Sequence, residues 1–277
     1  VPLIRVQHHH AHIAACAAEN RVDGAVLGLA WDGAGYGGDG TVWGGEALVC
    51  EGGHFTRIGH LRPFPLPGGE RAIREPRRAL LGLLWETLGP DAAMHRVAQL
   101  FSAQELASLA TLLARPNLSP RTSSIGRLFD AVSALVGLGA SVSFEGEAAM
   151  RLEFAATDTP SDGAYDFPLV GASPAVADPA PLMRAVIADL NGRVGSATIA
   201  RRFHESLAGL AVHFANAAGV RDVALSGGCF QNALLTRLAI ARLSDAGFTV
   251  HTHHVVPPND GGISLGQAVV ARHLLKG

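Results

Sequence analysis

The sequence predicts an α/β protein, on three observations. Strand-length apolar runs follow one another at Ala25–Trp31, Thr41–Cys50 and His54–Leu61, separated by glycine-rich turns. A long middle stretch, 62–220, carries its apolar residues mostly at helical period. From 221 the pattern returns to strand, turn, helix, strand, turn, helix. Four segments are therefore expected: a helix in 1–21, three strands in 22–61, a mainly helical insertion in 62–220 and a β-α-β-α unit in 221–277.

The first segment, VQHHHAHIAAC, opens an Ala-rich helical pattern. His8 and His12 are four apart, so a helix puts both on one face, a spacing at which two imidazoles share a divalent ion. His9 and His10 point elsewhere. Two histidines do not complete a shell, and Asp32 and Asp260 are the carboxylates nominated to join them. The competing reading is a solvated histidine cluster.

Ala25–Trp31 ends in DGAGYGGDG, Asp32–Gly40, and with the next two runs it forms an antiparallel meander. Its glycines serve either a hairpin that needs positive φ or a turn whose bare N–H groups meet a phosphate. After the linker PFPLPGG, helices are expected over Arg71–Leu88, Ala92–Phe101 and Ala103–Leu113. In Arg121–Leu138, Thr122, Ser123 and Ser124 are N-cap candidates, and Asp130 reads as a surface acid. SFEGEAAMRLEFAA begins a further helix at Ser143, with Gly146 in its first turns. Residues 157–181 loop around a short strand near Tyr165–Val170, followed by helices Leu182–Asn191 and Ala197–Ala218, in which His204 and His213 read as ordinary helix residues. The last unit runs as strand Val223–Leu225, a Gly-Gly turn, helix Phe230–Ala246, strand Thr249–His251 and helix Gly262–Leu274.

Composition narrows the functional classes. Net charge is −2 and no basic run occurs, which argues against nucleic acid and anionic membranes as partners. No apolar stretch is long enough to span a bilayer and no secretory signal pattern is seen, so a cytoplasmic location is expected. Cys16, Cys50 and Cys229 are far apart and read as small buried hydrophobes. The only lysine is Lys276, which removes Walker-type phosphate binding and Schiff-base catalysis.

The order of three strands, helices and β-α-β-α is that of the ribonuclease-H-like lobe of the acetate kinase, sugar kinase, Hsp70 and actin superfamily. There, a glycine-rich turn between the first strands binds phosphate and a Gly-Gly turn after the fourth strand receives adenosine. DGAGYGGDG and SGGCFQN occupy those places. More closely, VQHHHAHIAAC, WDGAGYGGDGTVWGGE, TSSIGRLFDAVSAL, SFEGEAAMRLE, and LSGGCFQNALL with PPNDGGISLGQA resemble the C-terminal, TsaD-like domain of the HypF carbamoyltransferases, which mature nickel-iron hydrogenases. That resemblance matches His8, His12 and Asp260 to metal ligands, with Asp32 as the fourth from related carbamoyltransferases. It implies one divalent transition metal, iron or zinc. It matches Asp130, Gly146 and Asn232 to residues that hold the nucleotide ribose and base. Trp31, Asp32, Gly33 and Gly35, with Ser226, Gly227 and Gly228, would line the phosphate and adenosine sites. His9, His10 and Asp32 are the catalytic candidates. The implied reaction moves carbamoyl from carbamoyl adenylate, made from carbamoyl phosphate and ATP by another domain of the same parent protein, to the C-terminal cysteine of HypE. The acceptor then supplies the nucleophile, so no cysteine of this chain need be catalytic. The family has a further lobe before the histidine helix, and its absence here would leave the cleft without one wall. The alternatives are a TsaD-like tRNA threonylcarbamoyl transferase, a small-molecule kinase of the same superfamily, and a nucleotide-binding interaction module.

Overall fold

A computed structural model of the chain describes residues 3–276, so the first two residues of segment 1–21 and the last of segment 221–277 lie outside the described residues. Helix α1, His8–Glu19, starts where the Gln7 side chain accepts the His10 N–H, and its first turn carries the histidine run. Strands β1 (Val26–Tyr36), β2 (Val42–Glu51) and β3 (His54–Leu61) form the expected antiparallel meander. β1 runs on past Trp31 to Tyr36 with its register broken between Trp31 and Gly35, so Asp32 and Gly33 lie in a bulge inside a strand and the tight turn is confined to 37–41.

The middle stretch holds β4 (Phe64–Pro65), α2 (Arg71–Arg74), α3 (Pro76–Leu88), α4 (Pro90–Val97), α5 (Ala103–Leu113), β5 (Arg121–Thr122), α6 (Ile125–Leu135), α7 (Glu147–Thr157), β6 (Leu169–Val170), β7 (Ala175–Ala177), α8 (Ala180–Asn191) and α9 (Ser196–Ala218). Several expectations need correction. The helix expected over Arg71–Leu88 is broken, because Pro76 disfavours helical geometry at Glu75, which sits at φ −122. Ser124 alone of the three candidates caps α6, accepting the Arg127 N–H, whereas Thr122 belongs to β5. The helix expected from Ser143 starts at Glu147, after Gly146 in the left-handed region at φ 87. β7 was not foreseen, and it extends the sheet beyond β3.

The final unit comprises β8 (Asp222–Ser226), a 3₁₀ turn over Gly228–Gln231, α10 (Ala233–Asp245, capped by Asn232), β9 (Thr249–His251) and α11 (Ile263–Lys276). The sheet order is β6-β7-β3-β2-β1-β8-β9, with β8 parallel to β1 and β9 parallel to β8. This is the ribonuclease-H-like arrangement the element order implied.

Alternation along β1 sends its side chains to two layers. Leu27, Leu29 and Trp31 face a large core shared with α3, α6, α9 and α10, while Val26 and Ala30 face a smaller core with Ile13 and Cys16 of α1. α1 is pressed tightly between neighbours. A Cβ on Gly28 would fall 2.2 Å from Ile13 Cγ1, and one on Gly266 of α11 would fall 1.8 Å from the Ala11 carbonyl oxygen. Among the described residues no helix is long and apolar enough to cross a membrane.

Candidate metal centre and adjoining cleft

β1 and β8 run parallel, with Ala30 beside Ser226, so the residues just past their carboxyl ends, Asp32 and Gly228, meet at one rim of the sheet. His8 and His12 of α1 face the same rim. His8 Nε2 lies 3.3 Å, and His12 Nε2 3.2 Å, from one oxygen of Asp32, Oδ2. Both nitrogens are 3.5 Å from Asp260 Oδ1, which arrives on the turn before α11. The donor atoms of all four residues lie within 4.8 Å of one another. Ligands held about 2.0–2.2 Å from a tetrahedral ion are spaced roughly 3.3–3.6 Å from each other, and the four histidine–aspartate spacings are of that size, compatible with one small divalent ion. Two imidazoles and two carboxylates suit iron, zinc or manganese.

The electrostatics favour the ionised ligand form of Asp32 and the protonated form of His8, whose proton metal binding would displace. Burial alone would raise the Asp32 carboxyl, but hydrogen bonding from His12 and His8 and the Gly33 N–H hold it well below the carboxylate range. Burial opposes charge on His8, yet Asp32 and Asp260 leave its pKa raised. The second Asp32 oxygen, Oδ1, accepts N–H groups of Gly33 and Gly228 at 2.7 and 3.2 Å, which ties the ligand to both glycine turns.

Beside this cluster opens a cleft of about 630 Å³ lined in part by Gly33, Asp130, Gly146, Gly228, Cys229 and Asp260. The sequence therefore brought the two glycine turns, Asp130 and Gly146 to one cavity. Asp130 is not the surface residue expected: 2% of it is exposed, on the buried face of α6. Its carboxylate is 2.9 Å from Arg127 Nη1, but neither atom has a hydrogen-bond partner, so the contact is coulombic without good hydrogen-bond geometry. Burial outweighs that attraction and raises the Asp130 pKa to about 6.

Other expected site residues lie elsewhere. Trp31 is fully buried with its ring stacked on Phe230 at 5.3 Å, so only its backbone borders the rim. Gly35 backs onto the His9 and His8 rings, where a Cβ would come within 2.4 Å. Gly227, at φ 103, packs its Cα onto the Trp31 backbone, and Ser226 and Asn232 are buried beneath the cleft. Asn232 caps α10 and reaches His204 Nε2 at 3.0 Å, which gives that helix histidine a supporting role the sequence did not suggest. His10 is set against Phe55, away from the ligand pair, because residues two apart on a helix face different sides. His9 is nearer, its ring 5.0 Å from that of His8, with Gln7 Nε2 at its Nδ1 and Nε2 buried without a partner. Burial first, then His8, lowers the His9 pKa to about 3. The neighbouring Cys229 thiol is pushed well up by burial and by Asp32, which keeps it a thiol.

Sequence reasoning missed Arg127, Glu145, Glu19, Ser124 and His253. Arg127 lines the cleft and pairs with Glu145 at 3.0 Å, and Ser124 Oγ donates to carbonyls of the bulge, Asp32 and Gly33. The serine was legible only as a cap.

The family described as carbamoyltransferase, Kae1-like domain, second subdomain, matches residues 28–267. Carbamoyltransferase HypF of Synechocystis sp. is 41% identical over 283 residues, covering 96% of this chain and 37% of that protein. Carbamoyltransferase HypF of Rhodobacter capsulatus is 44% identical over 279 residues, covering 98% and 36%. A crystal structure of full-length HypF in the phosphate- and nucleotide-bound form superposes with a TM-score of 0.94 at 42% identity, over 100% of this chain and 37% of that one. The structure of HypF from T. kodakarensis gives 0.88 at 33% identity, with the same coverage. This chain spans little more than a third of those relatives. With the fold, the family match and these relatives in agreement, the chain belongs to the HypF carbamoyltransferase family, as its Kae1-like second subdomain.

Proposed function

We propose that this domain carries out carbamoyl transfer from carbamoyl adenylate to the C-terminal cysteine of HypE. The observation that carries the reading is the cluster of four donors, from His8, His12, Asp32 and Asp260, within 4.8 Å of one another on the wall of a cleft bordered by both glycine turns. A metal held there would act as a Lewis acid toward carbamoyl and phosphate oxygens. The chain's own residues do the rest. Gly33 and Gly228 leave room at the rim for a phosphate and a ribose, and Asp130 and Gly146 border the space for the nucleoside. Arg127 offers a buried guanidinium against phosphate charge, provided Glu145 swings aside. The acceptor thiolate attacks the carbamoyl carbon, the carbon–oxygen bond to the adenylate phosphate breaks, and AMP leaves with the electron pair. One relative, described as full-length HypF in the phosphate- and nucleotide-bound form, supports the nucleotide part of this reading. The remaining two-thirds of such proteins would supply the adenylate.

The test supplies carbamoyl adenylate and a peptide ending in cysteine to this chain, both alone and within a full-length HypF polypeptide. The peptide should gain the mass of one carbamoyl group with the full-length protein, more slowly with the chain alone. Asp32→Ala should abolish the gain while adenylate formation continues. Unchanged transfer by Asp32→Ala would overturn the proposal.

A further inference from the structure

We infer that Glu19, His253 and Ser226 form a hydrogen-bonded relay that fixes where His12 carries its proton and registers the Asp260 loop; the inference rests on the metal reading above. Glu19 Oε2 lies 3.1 Å from His253 Nδ1, His253 Nε2 lies 2.8 Å from Ser226 Oγ, and Ser226 Oγ lies 3.4 Å from His12 Nδ1. The line is shielded from solvent, with side-chain exposures of 11% for Glu19, 3% for His253 and 1% for His12, and Ser226 at 0%.

The chemistry gives this line a direction. An ionised carboxylate only accepts, so His253 Nδ1 must carry the hydrogen it donates to Glu19. In neutral His253, Nε2 is then bare and must accept from the Ser226 hydroxyl. Ser226 Oγ also lies 3.5 Å from the Pro258 carbonyl, but the 2.8 Å contact takes its single proton. The hydroxyl oxygen is left to accept His12 Nδ1–H. Metal binding would then displace only the Nε2 hydrogen that His12 shares with Asp32, so the nitrogen that takes the ligand bond is Nε2, the one facing Asp32 and Asp260. Ordering of this kind by an outer carboxylate sets the tautomer and the basicity of a metal-bound imidazole.

The same carboxylate has a second task. Its other oxygen, Oε1, accepts the backbone N–H groups of His254, Val255 and Val256, and the chain then passes Pro258, whose carbonyl takes the Gly227 N–H, to reach Asp260. Glu19 thus registers a buried ligand and an exposed one from a single position. Its placement is costly for a helix alone, since an acid in the last turn of α1 opposes the helix dipole.

The experiment uses the chain labelled with ¹⁵N-histidine, and long-range ¹H–¹⁵N spectra of the metal-free form that show which ring nitrogen carries hydrogen. His253 should be an Nδ1–H tautomer in the native protein. In Glu19→Gln the amide oxygen can keep the three backbone contacts while its NH₂ faces Nδ1, so His253 should switch to Nε2–H. Cobalt(II) titration should show about 10- to 100-fold weaker binding for Glu19→Gln and Ser226→Ala, with near-native affinity and d–d spectrum restored in Ser226→Thr. If Glu19→Gln does not fold, the Ser226 pair decides, since it leaves the loop contacts intact. Native His253 protonated on Nε2, or variants that bind cobalt as tightly as the native chain, would overturn the relay. A native chain that binds no cobalt would sink the metal reading instead, and the spectra would still decide the relay.

Discussion

His12 and Asp32 face each other at 3.2 Å, Nε2 to Oδ2, with 1% and 11% of their side chains exposed, so the inner half of the proposed metal shell is largely screened from water. Asp260, 72% exposed, forms the outer half with His8. One divalent transition metal per chain is expected by elemental analysis after dialysis. His12→Ala and Asp32→Ala should lose it, and His8→Ala and Asp260→Ala should bind at least about 100-fold more weakly, roughly 2.7 kcal/mol. Stoichiometric metal in all four variants would rule the site out.

Gly228 lines the cleft beside Asp32, between the proposed nucleotide and metal sites. A Cβ there would lie 2.9 Å from Asp32 Oδ1, so Gly228→Val presses on a ligand as well as filling the adenosine approach. Calorimetry should show nucleotide affinity falling by about tenfold or more, and metal affinity falling with it. Loss of nucleotide binding with metal affinity untouched would separate the two functions.

Asp130 gives the fold a pH signature. Its pKa is raised by burial from 3.8 to about 6, so the protonated form is the one the folded state prefers. A raised acid contributes stability that is full below about pH 4 and is lost as pH rises through about 6, amounting to about 3 kcal/mol for a shift of this size. Asp130→Asn cannot ionise and should flatten that part of the curve. Urea midpoints at pH 4.5 and 7.5 for both proteins measure it, and parallel curves would contradict the assignment.

The close crossing of α11 over α1 tests support at a distance. Gly266 brings α11 onto the backbone of Ala11, the residue before His12. Gly266→Ala puts a methyl against a carbonyl that cannot rotate away, and a loss of about 3 kcal/mol is expected in denaturant unfolding. Metal affinity should fall as α1 shifts, whereas replacement of an exposed α11 residue such as Gln267 should do neither.

Much of this was legible from local pattern. His8 and His12 declare themselves by helical spacing, the meander by its alternation, and α5 by apolar residues at Leu106, Leu109 and Leu113. The break at Pro76 is equally legible, since the rule against helical geometry before proline is local too. What stayed hidden depends on tertiary packing. Asp130 looks like any helix acid until the fold buries it beside Arg127, and nothing near Ser226 in the sequence reveals the His253 ring against its hydroxyl. β7 is three residues long, too short for an alternating signal.

The ligands His8 and Asp260 stand roughly 250 residues apart, a span for which loop-closure entropy is large. On the ribosome, the histidines would emerge early and wait for nearly the whole domain before their carboxylate partner and the helix that seats them appear. The proposed ligand set is therefore complete only after Asp260 has been made. An ion bound there would join α1 to the turn before α11, so its removal should loosen both segments together rather than the site alone.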